Sequence, residues 1–320
     1  MSRKRQPMKR TINLRKTIIV IAVLMLAFAC TMLLVKNVIP GIKAANVQQN
    51  TKELYHGKTI SILNYLFPTA LAEETDNEEE ETEENIEEEI EVPPIQEDFK
   101  ELYEANEHIV GWLTAGKSID YAVVQFDNDF YLTHDFYGKP DSNGTIFINE
   151  ANTIYPADDV LLIHGHNMGS GAMFGTLKHF EDYKYLCEYP IVTFRTIYDE
   201  EDVYYTPIAA FNASMLEGTE FYFDITKINF EDDPDTEEDD TESIPVRMST
   251  AYSEYLTSLS EWSLWQPKTD ANTDDKLIML VTCSYYHTDG RLMLVCRKLR
   301  EDETPEMITE LYAEELETTK

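Results

Sequence analysis

Residues 276–299 read KLIMLVTCSYYHTDGRLMLVCRKL, two apolar runs separated by a turn of seven residues that closes on Gly290. Both runs are short and rich in branched apolar side chains, a pattern that favours β-strands. The turn folds them into a hairpin, which brings Cys283, the last residue of the first strand, close to Arg291, the first residue of the second. Alternation along the first strand places four side chains on one face: Leu277, Met279, Val281 and Cys283.

Five more stretches upstream predict strands, because each is short and enriched in β-branched and aromatic residues. They are residues 119–125, 144–149, 160–163, 191–196 and 203–211. Helical patterns are fewer: an amphipathic lead-in that begins at Ile95, a short helix over residues 174–182, and an apolar stripe from Tyr252 to Trp262. Seven or more strands with few long helices predict a mostly-β fold, a barrel or a sandwich decorated by helices.

The N-terminal region predicts a membrane anchor. Residues 1–16 contain seven basic residues and no acid, and residues 17–35 (TIIVIAVLMLAFACTMLLV) carry no charge over nineteen positions. A helix of that length spans about 28 Å, close to the thickness of the hydrocarbon core of a bilayer. The basic cluster before it predicts a single transmembrane helix, with the N-terminus in the cytoplasm and the rest of the chain outside the cell.

Acidic residues dominate the remainder of the chain. The formal net charge of −34 argues strongly against nucleic acid as a partner. Residues 73–91 hold thirteen acids in nineteen positions, so we expect a solvated spacer within a linker over residues 36–94, with calcium binding as the alternative. A second acidic stretch, residues 231–242, predicts a surface loop. The globular domain is predicted over residues 95–300, followed by an acidic C-terminal tail over residues 301–320.

Side chains that could carry chemistry stand at predicted strand ends. Residues 163–167 read IHGHN directly after a strand, and His164 and His166 could be metal ligands, but no Cys, Asp or Glu at zinc-like spacing accompanies them. A Cys nucleophile requires a base and an oxyanion donor, which a His and an Arg can supply. Taken singly, a Cys that closes an apolar strand is more often a buried packing residue, and an Arg at a strand edge a solvated charge. From these patterns alone, Cys283 and Arg291 could each have either a catalytic or a purely structural role.

Five segments, in order over about 200 residues, resemble class B sortases. They read DFKELYEANEHIVGWL (98–113), IDYAVVQFDNDFYLTHDF (119–136), GTIFIN (144–149), LLIHGHNMGSGAMFGTLKHF (161–180) and LVTCSYYHTDGRLMLVCRKL (280–299). The helical lead-in and the helix before the strand that ends in Cys283 indicate class B rather than class A. One departure is Met279, where the family's T-L-x-T-C pattern has its first Thr.

The resemblance implies roles for individual residues. It implies that Cys283 is the nucleophile, that His166 is the catalytic histidine, and that Arg291 stabilises the oxyanion and the substrate. Asn167 and Thr282 flank these residues, and we expect them either to orient the site or to make ordinary loop and strand hydrogen bonds. We expect no cofactor and no metal ion.

The resemblance also implies a fold and a reaction. The fold would be an eight-stranded β-barrel with an N-terminal helix and a helix before the catalytic strand. The thiolate would attack the Thr carbonyl in the C-terminal sorting motif of a secreted protein, and an amine of the peptidoglycan precursor would resolve the thioacyl enzyme. This makes secreted proteins, the wall precursor and the membrane the expected partners, with an extracellular catalytic domain.

Two readings from other classes remain open. One is a different Cys–His acyl-transfer enzyme, such as an L,D-transpeptidase or a papain-like peptidase, although the segments S-x-G-C and C-G-S-C-W are absent. The other is a non-catalytic, membrane-tethered scaffold that keeps a sortase-like barrel. The presence of all three catalytic residue types argues against the scaffold.

Overall fold

Eight strands form a closed barrel in the computed structural model, which describes residues 14–33, 39–55, 92–220, 222–223 and 250–318. The strands are β1 (Ile109–Ala115), β2 (Ile119–Val124), β3 (Ile146–Ile148), β4 (Val160–His164), β5 (Val192–Thr196), β6 (Tyr204–Ser214), β7 (Leu277–Ser284) and β8 (Gly290–Lys298). Around the barrel they follow the order β1-β2-β3-β4-β7-β8-β6-β5. The pairs β2–β3 and β4–β7 are parallel and the others antiparallel. The predicted mostly-β barrel is confirmed; β1 is a strand that the sequence patterns did not identify.

The chain also forms helices. Those of the described residues are α1 (Leu14–Leu33), α2 (Ile39–Tyr55), α3 (Glu97–Ala105), α4 (Tyr183–Glu188), α5 (Thr250–Trp262) and α6 (Pro305–Thr318). The predicted lead-in corresponds to α3, and the predicted stripe before the last hairpin corresponds to α5. The predicted helix over residues 174–182 is a 3₁₀ helix, Leu177–Glu181, followed by α4.

Strand β7 is apolar at nearly every position because both of its faces are covered. Ile278 and Leu280 belong to a core cluster to which all eight strands contribute. Leu277, Met279 and Val281 point the other way and pack with Tyr252 and Leu259 of α5. Cys283 continues this outer row of side chains and is exposed. The strand therefore carries its cysteine out of the packed layer on a rigid backbone.

Helix α2 docks on the barrel, which corrects the prediction that residues 36–94 are linker. Tyr55 stacks on Trp112 of β1, with ring centroids 4.5 Å apart. Lys43 lies 3.4 Å from the carboxylate of Asp135 and 3.0 Å from that of Asp141, both of which are buried. Ala44 is buried in one core cluster, and Val47, Leu54 and Tyr55 pack against another. These positions recur at helical spacing, a short pattern that the prediction of a linker overlooked. The remainder of the predicted linker, residues 56–91 with the acidic spacer, lies outside the described residues.

The C-terminal residues are part of the domain rather than a tail. Ile308 and Tyr312 of α6 are buried in the barrel's core cluster, and the Tyr312 hydroxyl accepts a hydrogen bond from the backbone N–H of Lys268 at 3.1 Å. The fully buried Arg297 donates two bonds of 2.6 Å to the Glu303 carboxylate. The prediction of an acidic tail was wrong because two apolar residues four positions apart suffice to hold a helix face against the core.

Helix α1 covers most of the segment predicted as an anchor, residues 17–35. The structure describes its side chains at residues 22–29, 31 and 32. No helix in the described part of the chain is long and apolar enough to cross a membrane, so the predicted transmembrane helix is not supported by the structure. The acidic loop predicted over residues 231–242 and most of the basic segment lie outside the described residues.

Candidate active site

The hairpin places the two predicted site residues of β7 and β8 side by side. Cys283 is the direct cross-strand partner of Arg291, and Ser284 pairs with Gly290 at the turn. The exposed Cys283 follows six buried residues of the same strand. The prediction that the hairpin brings Cys283 and Arg291 together is confirmed.

The segment after β4 is fastened to the end of β7. Because the two strands are parallel, their carboxyl ends meet at the same edge of the sheet. The backbone N–H of Gly165 donates to the Val281 carbonyl at 3.1 Å, and the Thr282 hydroxyl donates to the Gly165 carbonyl at 2.7 Å. The Asn167 side-chain amide donates to the carbonyl of Cys283 itself at 2.8 Å. Asn167 and Thr282 thus join the segment after β4 to the end of β7 through backbone groups.

His166, between these fastened residues, faces the same cavity as Cys283 and Arg291. This cavity, which we call the catalytic cavity, has a volume of about 350 Å³. Nε2 of His166 lies 2.7 Å from the carbonyl oxygen of Leu132, and because a carbonyl can only accept, Nε2 carries the proton. That assignment leaves Nδ1 without a hydrogen, as the nitrogen that can accept one. Leu132 has no sequence signal, since any residue could supply its carbonyl.

His164 lines the catalytic cavity too, but its surroundings are different. Its ring stacks on Phe147 with centroids 5.2 Å apart, and its Nε2 lies 3.5 Å from the side-chain nitrogen of Asn149. Burial, with a smaller contribution from the positive charge of Arg291, lowers the pKa of His164 to about 4. The imidazole is therefore neutral at pH 7 and packs as an aromatic ring.

The guanidinium of Arg291 is oriented by the turn before it. Its Nη1 donates to the Asp289 carboxylate at 2.9 Å and to the Gly290 carbonyl at 3.0 Å. Both bonds use Nη1, so the other nitrogen atoms of the planar group can donate to a ligand in the catalytic cavity. Asp289 has a φ of 49°, a left-handed conformation that Asp tolerates better than most residues. No motif in the sequence singles out Asp289, and its only signal is its position two residues before Arg291.

The other described cysteines and cavities lack this combination. Cys187 and Cys296 are buried, and burial raises the pKa of both thiols. A larger cavity of about 770 Å³, lined by Tyr55, Trp112 and Arg195 among others, contains none of the predicted site residues. Within the described residues, no group of three or more His, Cys, Asp or Glu side chains could hold a metal ion.

Known proteins that are similar to this chain include two sequences and several solved structures. No family model matches the chain. It is 27% identical over 191 residues to Sortase B of Listeria monocytogenes, and the aligned region covers 59% of this chain and 68% of that protein. It is 23% identical over 206 residues to Sortase B of Staphylococcus aureus, and that alignment covers 63% of this chain and 75% of the relative.

A solved structure gives the same result for the fold. Sortase B of Bacillus anthracis in complex with AAEK2 superposes with a TM-score of 0.53 at 25% identity, covering 66% of this chain and 89% of that one. The chain is a homologue of the class B sortases. The resemblance inferred from the sequence motifs is thus confirmed, and these relatives support a cysteine transpeptidase of the sortase type.

Proposed function

We propose that this protein is a membrane-anchored sortase that cleaves the C-terminal sorting motif of secreted proteins and transfers them to an amine of the cell-wall precursor. The observation that carries the proposal is the cross-strand pair of the exposed Cys283 with Arg291, in one cavity with His166. A thiol, a proton carrier and a permanent cation at one point are the groups that acyl transfer through a thioester requires.

Each group has a distinct role in the first half of the reaction. The thiolate of Cys283 attacks the scissile carbonyl carbon, and the carbonyl oxygen becomes an oxyanion. Arg291 donates hydrogen bonds to that oxygen with a charge that it never loses. Nδ1 of His166 takes the proton of the Cys283 thiol and gives it to the departing amine, while its Nε2–H stays bonded to Leu132. The carbonyl carbon is then bound to sulfur as a thioester.

In the second half an amine replaces the leaving group. It attacks the thioester, His166 accepts its proton, and the sulfur of Cys283 departs. The neutral His164 beside the cavity neither supplies nor accepts a proton at pH 7 in this scheme. It forms an apolar wall with Phe147.

The proposed location rests on the sequence before the domain. The uncharged residues 17–35 follow a basic segment, which favours an anchor with its N-terminus in the cytoplasm and the barrel outside. Secreted substrates and a lipid-linked precursor would both meet the enzyme there. Fractionation of cells that express the full chain, with protease added from outside, tests this topology: the barrel should be digested in intact cells.

The activity is tested with the full-length chain in detergent and a library of fluorescence-quenched peptides that carry C-terminal sorting sequences. Each peptide is incubated with and without 1,5-diaminopentane as the acceptor amine. We expect cleavage of some peptides and, with the amine, a ligated product identified by mass spectrometry. The control is Cys283→Ala, which should give neither product. Cleavage without any ligation would indicate a peptidase, and a library left intact by the wild-type chain would favour the scaffold reading.

A further inference from the structure

Tyr121 of β2 has a buried side chain whose hydroxyl contacts the main chain of a distant segment. The oxygen accepts a hydrogen bond from the backbone N–H of Met173 at 3.1 Å. Met173 lies in the segment that follows β4, which also contains His166. We propose that this hydroxyl is a positioning group for His166, and that it acts by holding Met173 in a strained backbone conformation. The inference rests on the function proposed above.

The backbone of Met173 is left-handed, with a φ of 51°. Among the described residues other than glycine, only Met173 and Asp289 have a positive φ. Asp visits this region more readily than Met does, because its short polar side chain can form local hydrogen bonds. A long apolar side chain stays there only where its surroundings impose the conformation, and residues held in this way cluster at functional sites. The bond to Tyr121 is a contact that can hold Met173.

Met173 stands directly beside the proposed catalytic residues. It forms an isolated antiparallel bridge with Asn167, whose side-chain amide donates to the Cys283 carbonyl. The next residue, Phe174, donates its backbone N–H to the carbonyl oxygen of His166 at 3.0 Å. A rotation of the Met173 backbone would therefore move both Asn167 and the group that fixes the main chain of His166.

The fully buried ring of Phe174 ties this segment to the residue before His166. A Cβ atom at Gly165 would lie 2.8 Å from a ring carbon of Phe174, closer than van der Waals contact permits, so only glycine fits there. Because the ring lies directly on the backbone of Gly165, a displaced Phe174 would displace His166 as well.

The hydroxyl of Tyr121 can be separated from its ring. The ring packs in the core cluster to which all eight strands contribute, whereas the oxygen makes the bond to Met173. Burial raises the pKa of the hydroxyl, so the group is neutral at pH 7. A Phe ring would fill the same space and leave the buried N–H of Met173 without this acceptor. Tyr121→Phe therefore removes the proposed contact and keeps the packing.

The first test compares two variants of the full-length chain that each lose one buried hydroxyl. Tyr121→Phe should lower kcat for peptide cleavage about tenfold with KM within about twofold, since a displaced catalytic group affects the chemical step. The matched control is Tyr252→Phe. The Tyr252 hydroxyl donates to the Asp275 carbonyl at 3.1 Å, and its ring belongs to a different core cluster from Met173. Both variants should lose similar melting temperature, and the control should keep kcat within about twofold of wild type.

The second test uses the conformation of Met173 itself. Glycine adopts a φ of 51° freely, whereas the β-branched valine adopts it least readily. Met173→Gly should therefore keep kcat within about threefold of wild type, and Met173→Val should lower it about tenfold. Packing alone predicts the reverse order, because glycine leaves the larger cavity in the core.

A folded Tyr121→Phe with kcat within about twofold of wild type would overturn the positioning role, as would an equal fall of kcat in Tyr252→Phe. So would a Met173→Gly variant that loses as much kcat as Met173→Val. If Tyr121→Phe does not fold, the order of the two Met173 variants decides alone. A wild-type chain that cleaves no peptide would refute the proposed function and this inference with it, whereas the other outcomes arise with an active wild type and refute the inference alone.

Discussion

Nε2–H of His166 donates to the carbonyl oxygen of Leu132 at 2.7 Å, between residues 34 positions apart in the sequence. The bond selects the tautomer in which Nε2 carries the hydrogen and Nδ1 is the acceptor. Leu132 ends a 3₁₀ helix, Phe130–Leu132, in the connection between β2 and β3. The position of the His166 ring consequently depends on how this connection is held, and Lys43 of α2 contacts the same connection at Asp135 and Asp141.

The two histidines should respond differently to substitution. His166→Ala should lower kcat/KM by about 10²–10⁴, the usual contribution of a general acid–base group. His164→Ala should retain most of the activity, because the ring is neutral and packs on Phe147. Peptide cleavage and thermal melting are measured for both. An equal loss in two folded variants would mean that both histidines take part in the chemistry.

Arg291→Ala should lower peptide turnover by about 10²–10³, the effect of removing an oxyanion donor. Arg291→Lys should recover little, since an ammonium lacks the planar fork. Alkylation of Cys283 by a small reagent develops no carbonyl oxyanion and should continue at a similar rate in both variants. Turnover of Arg291→Ala within about threefold of wild type would identify a solvated strand-edge charge.

Asp289→Asn should weaken turnover less than Arg291→Ala does. Asn tolerates the left-handed backbone at this position but removes the charge that orients the guanidinium. We expect a loss of about threefold to tenfold, equivalent to about 1 kcal/mol for a partly exposed ion pair. Steady-state kinetics at low and high salt provide the measurement, because salt should reduce the difference between variant and wild type.

Lys43→Ala should lower kcat by about tenfold to a hundredfold, since a shift of about 1 Å in a positioning group has effects of that size. The substitution removes the cation that lies between the buried Asp135 and Asp141. Both aspartates belong to the connection between β2 and β3, which also contains Leu132. Lys43→Arg should restore much of kcat. The matched control is Lys52→Ala. Lys52 lies on the same helix as Lys43, and its substitution breaks an ion pair with Asp120 of β2. A rise in KM with kcat unchanged, or an equal fall of kcat in both alanine variants, would contradict the positioning role.

Acid should destabilise the fold through His164. Its pKa is lowered to about 4 from an ordinary value near 6.5, so the unfolded chain binds this proton more readily than the folded one. The stabilisation is fully present above pH 6.5 and is lost as the pH falls toward 4, by up to about 3 kcal/mol. Denaturant unfolding at several pH values should therefore show a smaller acid sensitivity in His164→Gln. Parallel curves for wild type and variant would exclude this origin.

The sequence by itself determined the parts of the protein that are local along the chain. The run before Cys283 is apolar, and a short turn returns the chain to Arg291, so the pairing of these two residues followed from alternation and turn length. Strand runs and the stripe of α5 are likewise periodic patterns within a few residues. The family motifs add the order of His, Cys and Arg along the chain. A barrel and a candidate nucleophile could be predicted on that basis.

Only the tertiary structure decided what holds these residues in place. Backbone carbonyls carry no residue signature, so the bond from His166 to Leu132 could not be read from side-chain types. The docking of α2 through Lys43, and of the C-terminal α6 through Tyr312, depends on contacts with residues that are distant in the sequence. Local patterns determine which segments form strands and helices; the partners of polar groups are decided by which segments meet when the core closes.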